Sequence, residues 1–169
     1  MTGTLERKLS AVTKLVTLNA IANDVSWQSV AGLNALHAGG LQIVTITNLA
    51  APRTVGNCAI PGSSYDVVTL GDYAYVANRD KGVQVVCVTN PAVPVIVGSC
   101  PTTNAYALAL RGTYLYVAVY NAVCHGRTLT NPVAPVKVAR CDTPLFAYDL
   151  ALAGVYIYVA DHNSLQVLS

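Results

Sequence analysis

Apolar and polar residues alternate along this chain in short runs, and each run has the length of one β-strand. Between Ser64 and Cys100, four such runs are rich in β-branched and aromatic residues: Tyr65–Leu70, Tyr73–Asn78, Val83–Val88 and Val95–Cys100. Turn-forming residues separate the runs: a Gly-Asp pair, a polar link that ends in glycine, and a link with one asparagine and two prolines. This stretch therefore predicts a four-stranded antiparallel meander.

The meander recurs along the chain. The hairpin glycines Gly71, Gly112 and Gly154 are 41 and 42 residues apart, and so are the tyrosines Tyr73, Tyr114 and Tyr156 that follow them. The turn after the third strand recurs as TNLAAP, TNPAVP and TNPVAP. Four short strands in each period are typical of the blades of a β-propeller, which pack face to face around an axis.

The sequence thus predicts an all-β fold, a β-propeller of four blade equivalents in a single domain over residues 1–169, with repeat units at 10–47, 52–89, 94–130 and 135–169. Ala11–Leu18 matches the fourth, outer strand of a blade, whereas the chain ends on a third strand, Leu165–Ser169. Two arrangements would protect both strand edges. Either the N-terminal outer strand closes the last blade within one chain, or two chains exchange it and form an eight-bladed ring.

The blocks GLQIVTITN, GVQVVCVTNP and DYAYVAN resemble the LVIVD-type repeat, a family of β-propeller blades. The resemblance covers about residues 24–169 and is strongest from Gly39 to Cys100. It implies a propeller scaffold and brings no catalytic residues. Two copies depart from the pattern: the first, NDVSWQSVAGLNALH, lacks the hairpin glycine and the tyrosines, and the third has Cys124-His125-Gly126-Arg127 in place of a hydrophobic strand.

Composition narrows the classes of partner. The chain is 53% hydrophobic and 11% charged, with a net charge of +2 and scattered basic residues, so it carries no basic patch for a nucleic acid. Its apolar runs are far shorter than the roughly 20 residues of a membrane-spanning helix. The first residues lack the pattern of a secretory signal, and we assign no compartment. If the chain is a mature piece of an assembly, an extracellular, surface or virion-associated location is an alternative.

The cysteines are predicted to be reduced thiols. Cys58, Cys100 and Cys141 are 42 and 41 residues apart, so they occupy one strand position in successive blades, too far from each other for a disulfide. We expect them to be small buried apolar residues. Cys124 and His125 are adjacent on a strand and point to opposite faces, so they predict no metal site.

Two sets of residues in matching positions are candidates for binding. The first set occupies the loop between the second and third strands, where a propeller meets a partner unless the loop is merely solvated: His37, Arg79, Tyr120 and His162. The second set lies on the strand nearest the axis: Asp24, Asp66 and Asp149. In the third copy, Ala107 occupies the corresponding position. These carboxylates could face the channel and hold a cation, but we prefer bonds to the backbone amides of their own blades.

The sequence contains no recurring catalytic pair and no serine-hydrolase, phosphate-loop or dinucleotide motif, so we do not expect an enzyme. It predicts a non-catalytic scaffold, a protein-interaction or structural assembly module with protein partners and self-association, and with no cofactor or metal. A propeller that binds a small ligand or a glycan is the first alternative. An enzyme with its site on the loop face is the second.

Overall fold

A computed structural model describes residues 14–19, 26–31, 40–45, 51–121 and 123–168, the first two of these ranges and Val123 by their backbone alone. The described chain forms fifteen strands in four antiparallel sheets and one short 3₁₀ turn, Arg79–Lys81. The first sheet contains β1 Lys14–Asn19, β2 Ser26–Ala31, β3 Gly40–Thr45 and β4 Arg53–Ala59. The second contains β5 Ser64–Leu70, β6 Tyr73–Asn78, β7 Gly82–Cys87 and β8 Val95–Cys100. The third contains β9 Ala105–Arg111, β10 Tyr114–Val119, β11 Val123–Thr128 and β12 Val136–Asp142, and the fourth contains β13 Ala147–Ala153, β14 Tyr156–Asp161 and β15 Leu165–Leu168.

Within every sheet the strands lie in the order in which the chain makes them, so each sheet is a meander, as predicted. The hairpin between the first and second strands turns at Gly71, Gly112 and Gly154 in the second, third and fourth sheets, with φ of 55°, 56° and 57°. This left-handed conformation favours glycine, which explains why a glycine recurs there. The all-β class and the four blade-like sheets are therefore confirmed.

The position predicted for the N-terminal strand is wrong. The sequence predicts Ala11–Leu18 as an outer strand that completes the last blade of its own chain or of a second chain, but β1 pairs with β2 in the first sheet, with Lys14 opposite Ala31 and Asn19 opposite Ser26. Only six residues separate β1 from β2, and pairing over a short link costs less chain entropy than pairing across the whole molecule. The first sheet is thus complete, and the fourth sheet has three strands.

The sheets are grouped differently from the repeat units of the sequence. The sheets cover residues 14–59, 64–100, 105–142 and 147–168. The units 52–89, 94–130 and 135–169 each join the last strand of one sheet to three strands of the next. The unit 10–47 holds the first three strands of the first sheet.

The first strands of the four sheets lie side by side, β1 next to β5, β5 next to β9 and β9 next to β13. Neighbouring sheets pack face to face and bury apolar clusters between them. The cluster between the second and third sheets includes Tyr75, Val83, Val85, Leu108 and Leu115, all fully or almost fully buried. The core is therefore divided into layers between blades.

The outer strands are less buried than the sequence suggested. Cys100 is buried at the end of β8, whereas Cys58 on β4 and Cys141 on β12 are only half-buried, so the expectation of three buried cysteines holds for Cys100 alone. The fourth strand of a blade has a neighbour on one side only, and its residues stay near solvent. All five cysteines are free thiols.

Candidate binding face

Three of the predicted loop residues stand at matching positions after the second strand of their sheets. Arg79 follows β6, Tyr120 follows β10 and His162 follows β14. His37, the fourth member of this set, and Asp24 of the aspartate set lie outside the described residues.

Tyr120 and His162 are brought together by two rings that the sequence analysis did not single out, Phe146 and Tyr148. Tyr120 stacks on Phe146 with ring centroids 4.1 Å apart and planes at 4°. His162 lies against the same two rings, with centroids 6.3 Å from Phe146 and 6.0 Å from Tyr148. Phe146, in the loop before β13, and Tyr148, on β13, therefore connect Tyr120 of the third sheet with His162 of the fourth.

Further tyrosines extend this cluster across the molecule. Tyr65 and Tyr106 lie at the starts of β5 and β9, with ring centroids 4.7 Å apart. Tyr106 also stacks on Tyr120 at 5.4 Å and meets Tyr148 edge to face at 5.8 Å. The sequence could have identified these three tyrosines, because Tyr65, Tyr106 and Tyr148 are 41 and 42 residues apart, as in the repeat.

The topology explains why these rings meet. In an antiparallel hairpin, the start of one strand and the end of the next lie at the same end of the sheet. The tyrosines at the starts of the first strands therefore lie beside the loops that follow the second strands. We call this surface the aromatic face; it consists of Tyr65, Arg79, Tyr106, Tyr120, Phe146, Tyr148 and His162.

Arg79 gives the aromatic face a positive charge. Burial raises the pKa of the Tyr106 hydroxyl, and the nearby Arg79 guanidinium opposes that rise. Arg79 also lies 3.8 Å from the carboxylate of Asp80, which is 71% exposed, so this ion pair is weak. The Arg79 side chain is 47% exposed and can contact a partner.

The aspartates bond to the backbone. Asp66 Oδ1 accepts a hydrogen bond from the amide of Val67 at 2.8 Å, and Asp149 Oδ1 accepts one from the amide of Leu150 at 2.8 Å. This agrees with the preferred interpretation. Asp66 does more, because its Oδ2 accepts a 2.8 Å hydrogen bond from the amide of Leu108 and so ties the second sheet to the third.

Within the part of the chain that the structure describes, no three His, Cys, Asp or Glu side chains are grouped so that they could hold a metal ion. The same part contains no helix long and apolar enough to cross a membrane.

Comparisons with known proteins agree with this fold. A functionally unknown protein from Desulfotomaculum acetoxidans is similar over 90% of this chain, with a TM-score of 0.71 and 13% sequence identity. This chain spans 50% of that protein. The computationally designed Ika4 protein is similar over 92% of this chain and 97% of its own, with a TM-score of 0.65 and 8% identity. At such identities the likeness shows the fold alone.

No curated protein sequence matches the chain. The family model of the LVIVD repeat matches residues 61–102 and 146–168. The first match contains the second sheet, and the second contains β13, β14 and β15. These parts of the chain therefore match the LVIVD repeat, as the sequence blocks indicated, and they form blade-like sheets.

Proposed function

We propose that the chain is a non-catalytic scaffold that binds a protein partner through its aromatic face. The observation that carries this proposal is the continuous contact of six rings from three sheets, with an arginine at the edge. Tyrosine, phenylalanine and arginine are enriched at the buried centres of protein interfaces, where a few such residues supply most of the binding energy.

The exposure of the rings supports a binding role. Phe146 is 38% exposed and Tyr148 is 39% exposed, although aromatic side chains of this size are usually buried in a core. Both rings are held in place by their neighbours, Phe146 by Tyr120 and Tyr148 by Tyr106. Because they are already ordered, a partner that covers them costs little side-chain entropy on binding.

The test compares three immobilised forms of the chain, each exposed to an extract of the organism that encodes it, with mass spectrometry of the retained proteins. The wild type is compared with a Phe146→Ser, Tyr148→Ser double variant. The matched control is Tyr114→Ser, since Tyr114 is 48% exposed but does not belong to the aromatic face. Circular dichroism shows whether all three forms are folded.

We expect a protein that the wild type and the Tyr114→Ser control retain alike and that the double variant loses by about tenfold or more, the loss of one strong interface contact. Equal retention by all three forms would contradict the aromatic face as the binding surface. A wild type that retains no protein above an unrelated bait would contradict the interaction role itself.

A further inference from the structure

The fourth sheet has one face that nothing in the described chain covers. The side chains on it are mostly apolar and pair across the three strands: Ala151 with Tyr158 and Val167, Ala160 with Leu165, and Ala153 with Tyr156. Leu165 is 63% exposed and Val167 is 53% exposed. We call this surface the free face; it consists of Ala151, Ala153, Tyr156, Tyr158, Ala160, Leu165 and Val167.

The matching face of the second sheet is a blade interface. Tyr75, Ala77, Val83 and Val85 occupy the places of Tyr158, Ala160, Leu165 and Val167, and all four are 0% exposed. The third sheet covers them with Leu108, Leu115 and Val117. The free face is therefore a surface of the kind that packs against another blade, and no blade of the described chain covers it.

The hydrogen-bonding groups of the second and fourth sheets correspond in the same way. On the second sheet, Asp66 accepts a hydrogen bond from Leu108 and the Tyr75 hydroxyl donates one to the Pro132 carbonyl at 3.2 Å, and both bonds reach the third sheet. Asp149 and Tyr158 hold the same places on the fourth sheet. Among the described residues, the second carboxylate oxygen of Asp149 and the hydroxyl of Tyr158 have no hydrogen-bond partner. The fourth sheet thus presents both groups that the second sheet uses to hold its neighbour.

We infer that a second copy of this chain covers the free face with its first sheet, so that two chains form one ring of eight sheets. On the first sheet, Val44 of β3 is half-buried, whereas Val86 at the matching place on β7 is fully buried, so β3 has room for a further contact there. In a two-fold arrangement, each fourth sheet packs on the partner's first sheet and the ring closes. No strand needs to be exchanged.

A second copy fits better than the chain's own first sheet. The first strands contact one another in the order β1, β5, β9 and β13, and the free face is exposed rather than packed on the first sheet. This chain also matches half of the longer Desulfotomaculum acetoxidans protein, so four sheets in this arrangement correspond to part of a larger one.

The test measures mass in solution by light scattering coupled to size-exclusion chromatography, at about 10 µM, where a contact tighter than micromolar is fully formed. We expect the wild type at twice the 17.7 kDa of one chain. A Leu165→Glu, Val167→Glu double variant should run at the mass of one chain, because the new carboxylates cannot be buried against an apolar sheet. The matched control is Val136→Glu, Val138→Glu on β12, whose side chains are 58% and 55% exposed.

A second variant tests the dimer contact without adding a charge to the free face. Asp149→Ala places at this position the residue that the third sheet has at Ala107, so the fold tolerates it. Loss of the hydrogen bond to the partner should weaken the dimer about tenfold. A monomeric wild type, or a free-face variant that stays dimeric like the β12 control, would overturn the inference. Both results are independent of the aromatic face, because none of these substitutions lies on it.

Discussion

At the scale of single residues, His125 shows how a departure from the repeat is accommodated. Its Nε2 lies 3.1 Å from Lys137 Nζ, and its Nδ1 lies 3.2 Å from Thr102 Oγ1. An ammonium has only donors, so Nε2 accepts and Nδ1–H donates to the threonine. The neighbouring Cys124 is buried against the fourth sheet, and burial raises its pKa to about 12. The adjacent pair therefore has two separate structural environments.

Burial, together with the positive charges of Lys137, Arg127 and Arg140, lowers the pKa of His125 to about 4, against a weak opposing effect of Asp142. Between about pH 6.5 and pH 4 the unfolded chain therefore takes up a proton that the folded chain does not, and stability falls as the pH falls through this window. Since the ring is only half-buried, we expect a loss of about 1 kcal/mol after discounting for solvent screening.

The measurement is urea unfolding of the wild type and of His125→Gln at pH 7 and pH 5. Glutamine is the residue at the matching places Gln84 and Gln166, so the variant should fold. The wild type should lose more stability than the variant between the two pH values. Equal losses would show that His125 does not carry this pH dependence.

At the scale of elements, the proline-containing loops fasten neighbouring sheets together. The two such loops within the described residues begin with an asparagine whose Oδ1 accepts a backbone amide two residues on, at 3.1 Å in Asn90 and 3.3 Å in Asn131. The loop then lies against a glycine on the outer strand of the preceding sheet. A Cβ at Gly56 would lie 2.0 Å from the carbonyl oxygen of Pro91, and one at Gly98 would lie 1.9 Å from that of Val133.

We therefore expect Gly98→Ala to destabilise the protein by about 1–3 kcal/mol, because its methyl group would collide with the Val133 carbonyl and push the loop off the sheet. The control is Val97→Ala on the same strand, where the side chain is 43% exposed and its loss should cost little. Thermal unfolding compares the two variants. Similar melting temperatures would mean that the loop does not rest on Gly98.

Much of the fold could be predicted from the sequence because the spacing of the repeat is nearly constant from Ser64 onward. The glycine and tyrosine spacings located the hairpins, and the loop register located Arg79, Tyr120 and His162. Two features were missed. The first copy has lost its glycine and tyrosines, so the period placed Ala11–Leu18 on the wrong sheet. The other copies have no aromatic residue at the position of Phe146, and its role depends on stacking that the spacing does not reveal.

At the scale of the whole molecule, the four sheets differ in what covers them. The second and third sheets have a blade on both faces, whereas the fourth has the third sheet on one face and its free face on the other. The aromatic face lies at one end of the sheets and the free face lies on the side of the last one. The two surfaces can therefore serve different contacts at once, one to a partner protein and one to a second copy.

The most direct measurement is a crystal structure of the wild-type chain, in which the sheets around the axis are counted. We predict eight sheets from two chains, with Leu165, Val167 and Tyr158 of each chain buried against the first sheet of the other. Four sheets closed within one chain, or a single chain whose free face stays in solvent, would contradict this account.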